Sequence, residues 1–216
     1  MKTSTGEYFT TDTPSAPWGD YGHILTHGMS RRAEGGTVLV ERTGPYVPPL
    51  SQPFGECAIL TADFAALLEA SGLTGFTIKP AKKSHIVRVP WQEWDLKADG
   101  PAFYPEGGEP ENYILEQPHC DETAARMPDL FSVEVSKIAR VYRKKIAGQS
   151  RDQLYLDTDT TDGLDFVQSE STGYTYVSPR ARDWLSEHAS DWVVFDNCRT
   201  LRSREIGEAS MRELRS

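Results

Sequence analysis

The stretch CAILTADFAALLEASGLTGFTIK, residues 57–79, decides much of the predicted fold because it holds a strand, a helix and a second strand in succession. An apolar run at residues 58–60 reaches Thr61, whose side chain can accept a hydrogen bond from the free N–H groups at the start of a helix. Residues 63–71 have the apolar spacing of an amphipathic helix, and residues 76–79 form the second apolar run. The stretch therefore predicts one strand–cap–helix–strand module.

A second stretch, YTYVSPRARDWLSEHASDWVVFDNC at residues 174–198, repeats this order with different residues. Ser178 occupies the capping position. Pro179 follows it directly, which suits the first turn of a helix because proline lacks an N–H that would be unpaired there. Residues 179–188 are then predicted to be helical, and residues 192–195 to form the second strand. The chain thus contains two modules of similar order.

The two modules lead to specific expectations for their helices. We expect Thr61 and Ser178 to be the N-cap residues. The apolar spacing predicts that the first helix buries Phe64, Leu67 and Leu68 and that the second buries Trp184 and Leu185. The tail after Cys198 is rich in arginine and glutamate, and it is expected to be a solvated terminal helix or a frayed end.

Outside the modules, runs rich in β-branched residues predict further strands at residues 37–42, 84–91, 131–135, 138–142 and 154–156. Strands and helices are therefore mixed along the chain without a regular βαβ alternation. The sequence predicts a single α+β domain, residues 1–216, of mixed sheets with two or three helices. A subdivision of this domain would be expected near residues 120–150.

The composition is that of an ordinary globular protein, with 38% hydrophobic and 25% charged residues among 216. No run approaches the roughly 20 apolar residues that a membrane-spanning helix needs, and the N-terminus lacks the apolar segment of a secretory leader. Three cysteines without a CxxC pair favour a reducing compartment over a disulfide framework. These observations predict a cytoplasmic protein that does not bind a membrane.

The formal net charge of −9 is concentrated in one segment. Residues 93–122, the acidic block, hold nine acidic residues and the single base Lys97, whereas residues 137–151 hold six bases and no acid. Such blocks either pair with each other within one fold or form a charged face for a partner of opposite charge. The overall acidity argues against a protein that binds nucleic acid directly.

The acidic block includes residues 100–118, which are rich in proline and glycine and are therefore predicted to form a loop. Its larger apolar side chains are expected to attach the loop to the body of the protein; they are Tyr104, Tyr113, Ile114 and Leu115. Trp91 and Trp94 lie at the start of the block, and at least one of them is expected in the core. A tryptophan is also a frequent anchor of binding surfaces.

Two sets of residues have some features of a metal site but lack its spacing. His23 and His27 are four residues apart, but the HExxH motif of zinc hydrolases is absent. The run DTDTTDG at residues 157–163 places its third acid one position later than a calcium-binding EF-hand loop requires, and Gln168 stands where that loop has glutamate. We therefore expect no metal ion and no other cofactor.

His119, Cys120 and Asp121 are of the residue types used in nucleophilic catalysis, but side chains adjacent in sequence seldom point at one another. The chain also lacks a glycine-rich phosphate loop, a GxSxG motif and a dinucleotide-binding fingerprint. No catalytic residue is therefore predicted. The alternative is a small cytoplasmic enzyme with His119, Cys120, Asp121 or His23 in its site.

Several motifs resemble those of a known group of proteins. TGPYVPP at residues 43–49, LEASGL at 68–73, HIVRVPWQEWD at 85–95 and YPEGGEPENYILEQPH at 104–119 resemble bacterial proteins of toxin-immunity loci. The closing YVSPRARDWLSEH at 176–188 resembles the serine-capped helix of immunity proteins of polymorphic toxin systems, namely family eleven and its double-CxxCG relatives. The two CxxC pairs of the double-CxxCG group are absent here, so the resemblance does not imply zinc.

The resemblance implies a cytoplasmic protein that binds and neutralises a cognate protein toxin by surface complementarity, without catalysis. Many such toxins act on nucleic acids or nucleotides and carry basic clefts, so the acidic block is expected to face the partner. The predicted partner-binding residues are Trp94, Asp95, Asp99, Tyr104, Glu106, Glu109 and Glu111. Apart from the enzyme, a regulatory or scaffold protein without a toxin partner is the remaining alternative.

Overall fold

The computed structural model describes residues 8–55, 57–144, 153–169, 172–203 and 211–213. The chain divides into two compact units. The terminal unit comprises Met1–Asp12, Gly72–Thr77 and Val135–Ser216, and the central unit comprises Thr13–Ser71 and Ile78–Glu134. Residues 145–152, which include part of the basic stretch at residues 137–151, lie outside the described residues.

The described residues contain five α-helices and two mixed sheets, so the fold class is α+β, as predicted. In chain order the elements are β1 (Tyr8–Asp12), α1 (Asp20–His27), β2 (Met29–Arg32), β3 (Val38–Gly44), β4 (Leu50–Ser51), β5 (Ile59–Thr61), α2 (Ala62–Ala70), β6 (Phe76–Arg88), α3 (Asn112–Leu115), α4 (Asp121–Arg126), β7 (Leu130–Val135), β8 (Val141–Lys144), β9 (Gln153–Asp157), β10 (Phe166–Gln168), β11 (Thr175–Val177), α5 (Pro179–His188), β12 (Val194–Leu201) and β13 (Met211–Glu213). Helices α1, α3 and α4 were not predicted because they are short and lack a long apolar repeat.

The central unit is built on a six-stranded sheet with the order β2-β3-β6-β7-β5-β4. Strand β3 is antiparallel to β2 and parallel to β6, and its alternating side chains Val38 and Val40 are buried. These two valines pack with Ile86 of β6 and Leu130 of β7 in one apolar cluster. The period-two pattern of β3 therefore supplies one side of the core of this unit.

Strand β6 is continuous over 13 residues, although the sequence predicted two strands separated near Pro80. The ladder between β6 and β3 begins at Lys82, so the missing N–H of Pro80 costs this ladder no hydrogen bond. The strand ends at Arg88, before Trp91, which is buried in a single turn of 3-10 helix. The sequence prediction was therefore right about the extended segments and wrong about the break.

The terminal unit contains a seven-stranded sheet with the order β10-β11-β1-β12-β9-β8-β13. Strand β1 is antiparallel to both β11 and β12, and Phe9 lies opposite Val177 on one side and Asn197 on the other. Tyr8 and Tyr176 pack with Leu156 of β9 in the core of this unit. The region after Cys198 continues β12 to Leu201, and Met211–Glu213 forms β13, so the prediction of a terminal helix was wrong for these described residues.

The two predicted modules have a common topology. Strands β5 and β6 flank β7 in one sheet, and strands β11 and β12 flank β1 in the other. In each case a helix connects two strands that are separated by one strand from elsewhere in the chain, which is a split β–α–β arrangement. The strand–helix–strand order deduced from the sequence is thus confirmed for both modules.

The helix starts lie where they were predicted, but only one of the two caps is complete. Thr61 ends β5 with the extended backbone of an N-cap residue, yet its side chain makes no capping hydrogen bond. Ser178 accepts a hydrogen bond from the backbone N–H of Ala181 at 3.2 Å and donates its hydroxyl to Asp165 at 2.7 Å. Ser178 therefore stabilises its helix through its side chain, whereas Thr61 contributes only its backbone conformation.

The buried helix faces differ from the prediction at two positions. Helix α2 buries Phe64, Ala65 and Leu68, whereas Leu67 is 43% exposed. Helix α5 buries Ala181 and Leu185. Trp184 is half-buried, and its ring stacks on His188 with a centroid separation of 4.4 Å. In each helix an alanine that was not predicted to be buried, Ala65 in α2 and Ala181 in α5, belongs to the buried face.

A buried arginine organises the central unit. Arg42 on β3 is fully buried, and its guanidinium donates to the carbonyl oxygens of Thr26 at 2.8 Å and Tyr46 at 3.3 Å and to the Ser51 hydroxyl at 3.2 Å. Burial lowers the pKa of Arg42 to about 10, which leaves the group charged at neutral pH. The Thr26 carbonyl belongs to the last turn of α1, where a cation is favourable. Arg42 therefore joins α1, β3 and β4.

Replacing Ser178 with alanine should lower the free energy of unfolding by about 1 kcal/mol, because Ala181 loses its cap and Asp165 loses a donor. Thr61→Ala should cost less, since no side-chain hydrogen bond is lost. Urea unfolding followed by circular dichroism measures both changes. Equal losses for the two variants would show that the difference between the caps has no energetic consequence.

Replacing Arg42 with methionine should lower the free energy of unfolding by about 3 kcal/mol, because the buried carbonyl group of Thr26 and the buried hydroxyl of Ser51 lose a donor. The matched control is Arg31→Met on β2, where an exposed ion pair with Glu41 is lost and a change below about 1 kcal/mol is expected. Urea unfolding measures both. A similar small loss in both variants would refute the organising role of Arg42.

Candidate functional site

The acidic block, residues 93–122, lies within the central unit and forms most of one exposed loop region. Four of the predicted partner-binding acids are exposed; they are Asp95, Asp99, Glu106 and Glu109. Glu111 is half-buried at the start of α3, and Tyr104 is 57% exposed. Trp94 is half-buried and packs against the apolar core. The structure thus brings six of the seven predicted residues to an accessible surface and uses Trp94 mainly as an internal support.

Trp94 belongs to a group of aromatic rings that hold the loop from behind. Its ring centroid lies 4.9 Å from that of Phe103 and 6.0 Å from those of Trp18 and Tyr113. The indole N–H of Trp18 donates to the carbonyl oxygen of Ala98 at 2.9 Å. Aromatic pairs in these tilted arrangements stabilise packing beyond simple area burial.

Helix α1 fixes the other end of the loop. Tyr21 donates its hydroxyl to the carbonyl oxygen of Gly108 at 2.6 Å, and its ring meets that of Tyr104 edge-on at 5.1 Å. Tyr113 is buried and donates its hydroxyl to the carbonyl oxygen of Phe103. Burial, with smaller contributions from Tyr21 and Tyr104, raises the pKa of Tyr113 to about 12. The hydroxyl therefore stays protonated and keeps donating at neutral pH.

The carboxylate of Glu116 binds the backbone of the loop. It accepts the backbone N–H of Gly107 at 3.0 Å and that of Glu106 at 3.2 Å. A Cβ atom at Gly107 would lie 2.1 Å from the Asn112 amide nitrogen, so a larger residue at this position would displace the Asn112 side chain. The proline- and glycine-rich loop predicted from the sequence is thus held in one conformation by specific contacts.

The acidic side chains of the loop lack cationic partners within the described residues. No ion pair among those residues involves Asp99, Glu106, Glu109 or Glu111. By contrast, Glu134 on β7 pairs with both Arg32 at 2.8 Å and Lys79 at 2.5 Å. In the described part of the chain, the acidic block therefore does not neutralise itself against a basic block.

A surface cavity of about 330 Å³ lies in this loop region. Its lining includes three aromatic rings, two carboxylates and two amides and contains no basic residue. The rings are those of Phe103, Tyr104 and Tyr113, and the carboxylates are those of Glu106 and Glu116. Phe103 is 49% exposed, so an aromatic surface is open to solvent beside unpaired negative charge. Such a surface suits a cationic or mixed apolar–cationic partner.

In the candidate nucleophile group, the ring nitrogens of His119 and the thiol of Cys120 have partners other than each other. His119 accepts the backbone N–H of Ile86 at its Nδ1 atom, 2.9 Å away, and its Nε2 atom lies 3.2 Å from Asp121. Each ring nitrogen of His119 thus has a partner other than the thiol. The Cys120 thiol accepts a hydrogen bond from the Thr123 hydroxyl at 3.1 Å, and this bond lowers the pKa of Cys120. The described contacts thus place no histidine base on the Cys120 sulfur.

The two candidate metal sets also have other partners. His23 and His27 share one face of α1 with ring centroids 4.8 Å apart, and His27 accepts the backbone N–H of Gln52. Asp157 is buried and bonds to Ser203 at 2.7 Å and Arg140 at 3.4 Å, which occupies the carboxylate in holding its turn. Among the described residues, no group of three or more histidines, cysteines and acids has the arrangement of a metal site.

Several site residues were not predicted from the sequence. Phe103 lines the cavity, and Trp18, Tyr21 and Glu116 hold the loop. The adjacent pair Phe103-Tyr104 within a glycine- and proline-rich segment is the one local signal for an exposed aromatic surface. Of the four side chains expected to attach the loop, Tyr113 and Ile114 are buried, whereas Tyr104 and Leu115 are each 57% exposed.

Comparison of the chain with protein-family models, curated proteins and solved structures finds no match. The resemblance to immunity proteins therefore stays a prediction from the sequence motifs. In the part of the chain that the structure describes, no helix has the length and apolar character needed to cross a membrane.

Protonation of His27 should make the protein less stable in acid. Burial is the main cause that lowers the pKa of folded His27 from 6.5 to about 3. Between these values the unfolded chain binds a proton that the folded chain does not, so stability decreases as the pH falls from 6.5 towards 3, by at most about 1.4 kcal/mol per pH unit. His27→Gln should remove this contribution.

Urea unfolding of the wild-type protein and of H27Q at about pH 7 and about pH 4 measures the effect. The carboxylates titrate in both proteins. The change with pH in the difference between their free energies of unfolding therefore reports on His27. If the two proteins differ by the same free energy at both pH values, the pKa of His27 is the same in the folded and unfolded chains and the interpretation is wrong.

Proposed function

We propose that this chain is a non-catalytic immunity protein that binds and neutralises a cognate bacterial toxin in the cytoplasm. The observation that carries the proposal is the acidic–aromatic surface, which we define as Asp95, Asp99, Phe103, Tyr104, Glu106, Glu109 and Glu111. This surface combines exposed rings with carboxylates that have no cationic partner among the described residues. The partner is a toxin with a basic surface.

Two exposed aromatic rings and one exposed leucine resemble the residues found at the centre of protein–protein interfaces. Phe103, Tyr104 and Leu115 are each about half exposed, at 49%, 57% and 57%. Large apolar side chains of this kind, surrounded by polar groups, supply most of the binding energy in typical protein interfaces. Their burial against a toxin supplies affinity, whereas the surrounding charges select a basic partner.

The rigidity of the loop adds to this argument. Hydrogen bonds donated by Trp18 and Tyr21, and others accepted by the Glu116 carboxylate, hold residues 98–108 before any partner arrives. A surface that is already ordered loses little conformational entropy on binding, so more of the contact energy appears as affinity. A purely solvating acidic loop has no physical need for such anchoring.

The unpaired carboxylates act mainly at a distance. A negative patch accelerates encounter with a basic toxin surface, and this acceleration decreases as salt shortens the screening length to about 10 Å at 0.1 M. The geometry around Cys120 and His119 gives the enzyme alternative little support, since both nitrogens of His119 have other partners. A binding role accounts for the exposed rings and the unpaired charge together.

Reversing Glu106, Glu109 and Glu111 to lysine should slow association with the toxin by about tenfold or more, because electrostatic steering is inverted. Added salt should slow wild-type association and have little effect on the variant. Surface plasmon resonance measures the rates. Growth of cells that express the toxin measures protection, which the variant should lose.

The matched control reverses three exposed acids outside the acidic block; they are Glu69, Glu187 and Asp191. It changes the net charge by the same amount and should keep both rapid association and protection. The candidate toxin is the product of a neighbouring reading frame with a secretion-type N-terminus and a toxin-like C-terminal domain. If such a product binds equally well to both triple variants, with circular dichroism confirming that each is folded, the acidic–aromatic surface is not the interface.

A further inference from the structure

We propose that the surface cavity of the acidic–aromatic surface receives one arginine side chain of the protein partner. The inference rests on the proposed function for the source of that arginine, and on the cavity itself for the chemistry. The guanidinium stacks on the rings of Phe103 and Tyr104, and the carboxylate of Glu106 pairs with it. The cavity is thus a recognition pocket for a planar cation.

The size of the cavity sets the kind of group that it accepts. At about 330 Å³ it lies at the lower limit of about 300 Å³ for pockets that bind small molecules. A single long side chain fits this space, whereas a helix or a strand of the partner does not enter it. The recognition element is therefore one residue that projects from the partner surface.

The lining selects a cation. Phe103 and Tyr104 present exposed aromatic rings, and the faces of such rings are negative and attract cations within about 6 Å of the ring centre. Glu106 and Glu116 add carboxylates, and no basic residue lines the cavity to compete. An anionic group, such as a phosphate or a carboxylate, is repelled by this lining.

The lining favours arginine over lysine. The guanidinium is planar and less strongly hydrated than an ammonium group, so it stacks on aromatic faces at a lower desolvation cost. It also presents several N–H donors in one plane, which match a carboxylate in a bidentate pair. Glu116 is already bound to the N–H groups of residues 106 and 107, whereas Glu106 has no ion-pair partner among the described residues. Glu106 is therefore the residue that pairs with the guanidinium.

The pocket is preorganised for this ligand. The ring of Phe103 is supported by Trp94 at 4.9 Å and by Tyr113 at 5.4 Å, and the ring of Tyr104 is supported by Tyr21 at 5.1 Å. The bond from Gly107 to Glu116 fixes the backbone that carries Glu106. The rings therefore need no rearrangement before the cation is bound, which raises affinity for a small group.

The test uses the full chain and N-acetyl-arginine-N-methylamide, with the uncharged N-acetyl-citrulline-N-methylamide as the matched probe. Two-dimensional NMR should show saturable shifts at the amides of Glu106 and Gly107 with the arginine probe alone. Glu106→Gln should weaken this binding about fivefold, because the ion pair is lost, and Tyr104→Leu about threefold, because a cation–π contact is lost. Glu122→Gln, in the same acidic block but outside the cavity, should change it less than twofold.

Equal binding of the citrulline probe, or equal weakening by Glu122→Gln and Glu106→Gln, would overturn the inference, because binding would then be apolar or diffusely electrostatic. Failure of the inference and of the proposed function are distinguishable. If the arginine probe does not bind but the triple reversal still slows toxin association, the pocket assignment is wrong and the toxin interface stands. If the probe binds and the triple reversal leaves association unchanged, the pocket stands and the proposed interface is wrong.

Discussion

The central unit depends on one buried cation. The guanidinium of Arg42 is surrounded by carbonyl oxygens and a hydroxyl, and it links the last turn of α1 to strands β3 and β4. A buried charge without such partners would cost several kcal/mol, so the surrounding groups are held to it strongly. Thr43 adds a hydrogen bond from its hydroxyl to the carbonyl oxygen of Leu25 at 2.6 Å. The position of α1 follows from these contacts.

Contacts with α1 and the residues just before it fix the position of the acidic–aromatic surface. Trp18 lies two residues before this helix and Tyr21 belongs to its first turn, and each donates a hydrogen bond to the backbone of the acidic loop. A segment dominated by like charges would otherwise repel itself and remain open. Here the repulsion is opposed by aromatic packing on the inner side, so the carboxylates stay together on the outer side. Packing inside the protein thus keeps the carboxylates of the loop close together, which the loop sequence alone would not do.

Much of the fold was accessible from local patterns. The spacing of apolar residues and the Ser178-Pro179 pair located α5 at the residues where it occurs. Errors arose where long-range packing decided the outcome. Leu67 has helical spacing but is 43% exposed, whereas Ala65 is buried, and β12 continues past Cys198 because β9 provides a partner for its backbone. Propensity is a weak guide at such positions because tertiary pairing overrides it.

The sequence by itself determined the α+β class, the two strand–helix–strand modules and the position of the acidic loop, because each depends on periodicity, capping or composition within a short segment. Only the tertiary structure decided which charges remain unpaired, which rings line a cavity and which tryptophan is internal. Those properties depend on groups far apart in the chain: the hydroxyl of Tyr21 and the carbonyl of Gly108 are separated by 87 residues. Such contacts cannot be recognised from a pattern of neighbouring residues in the sequence, because the packing of the whole unit determines which groups a side chain contacts.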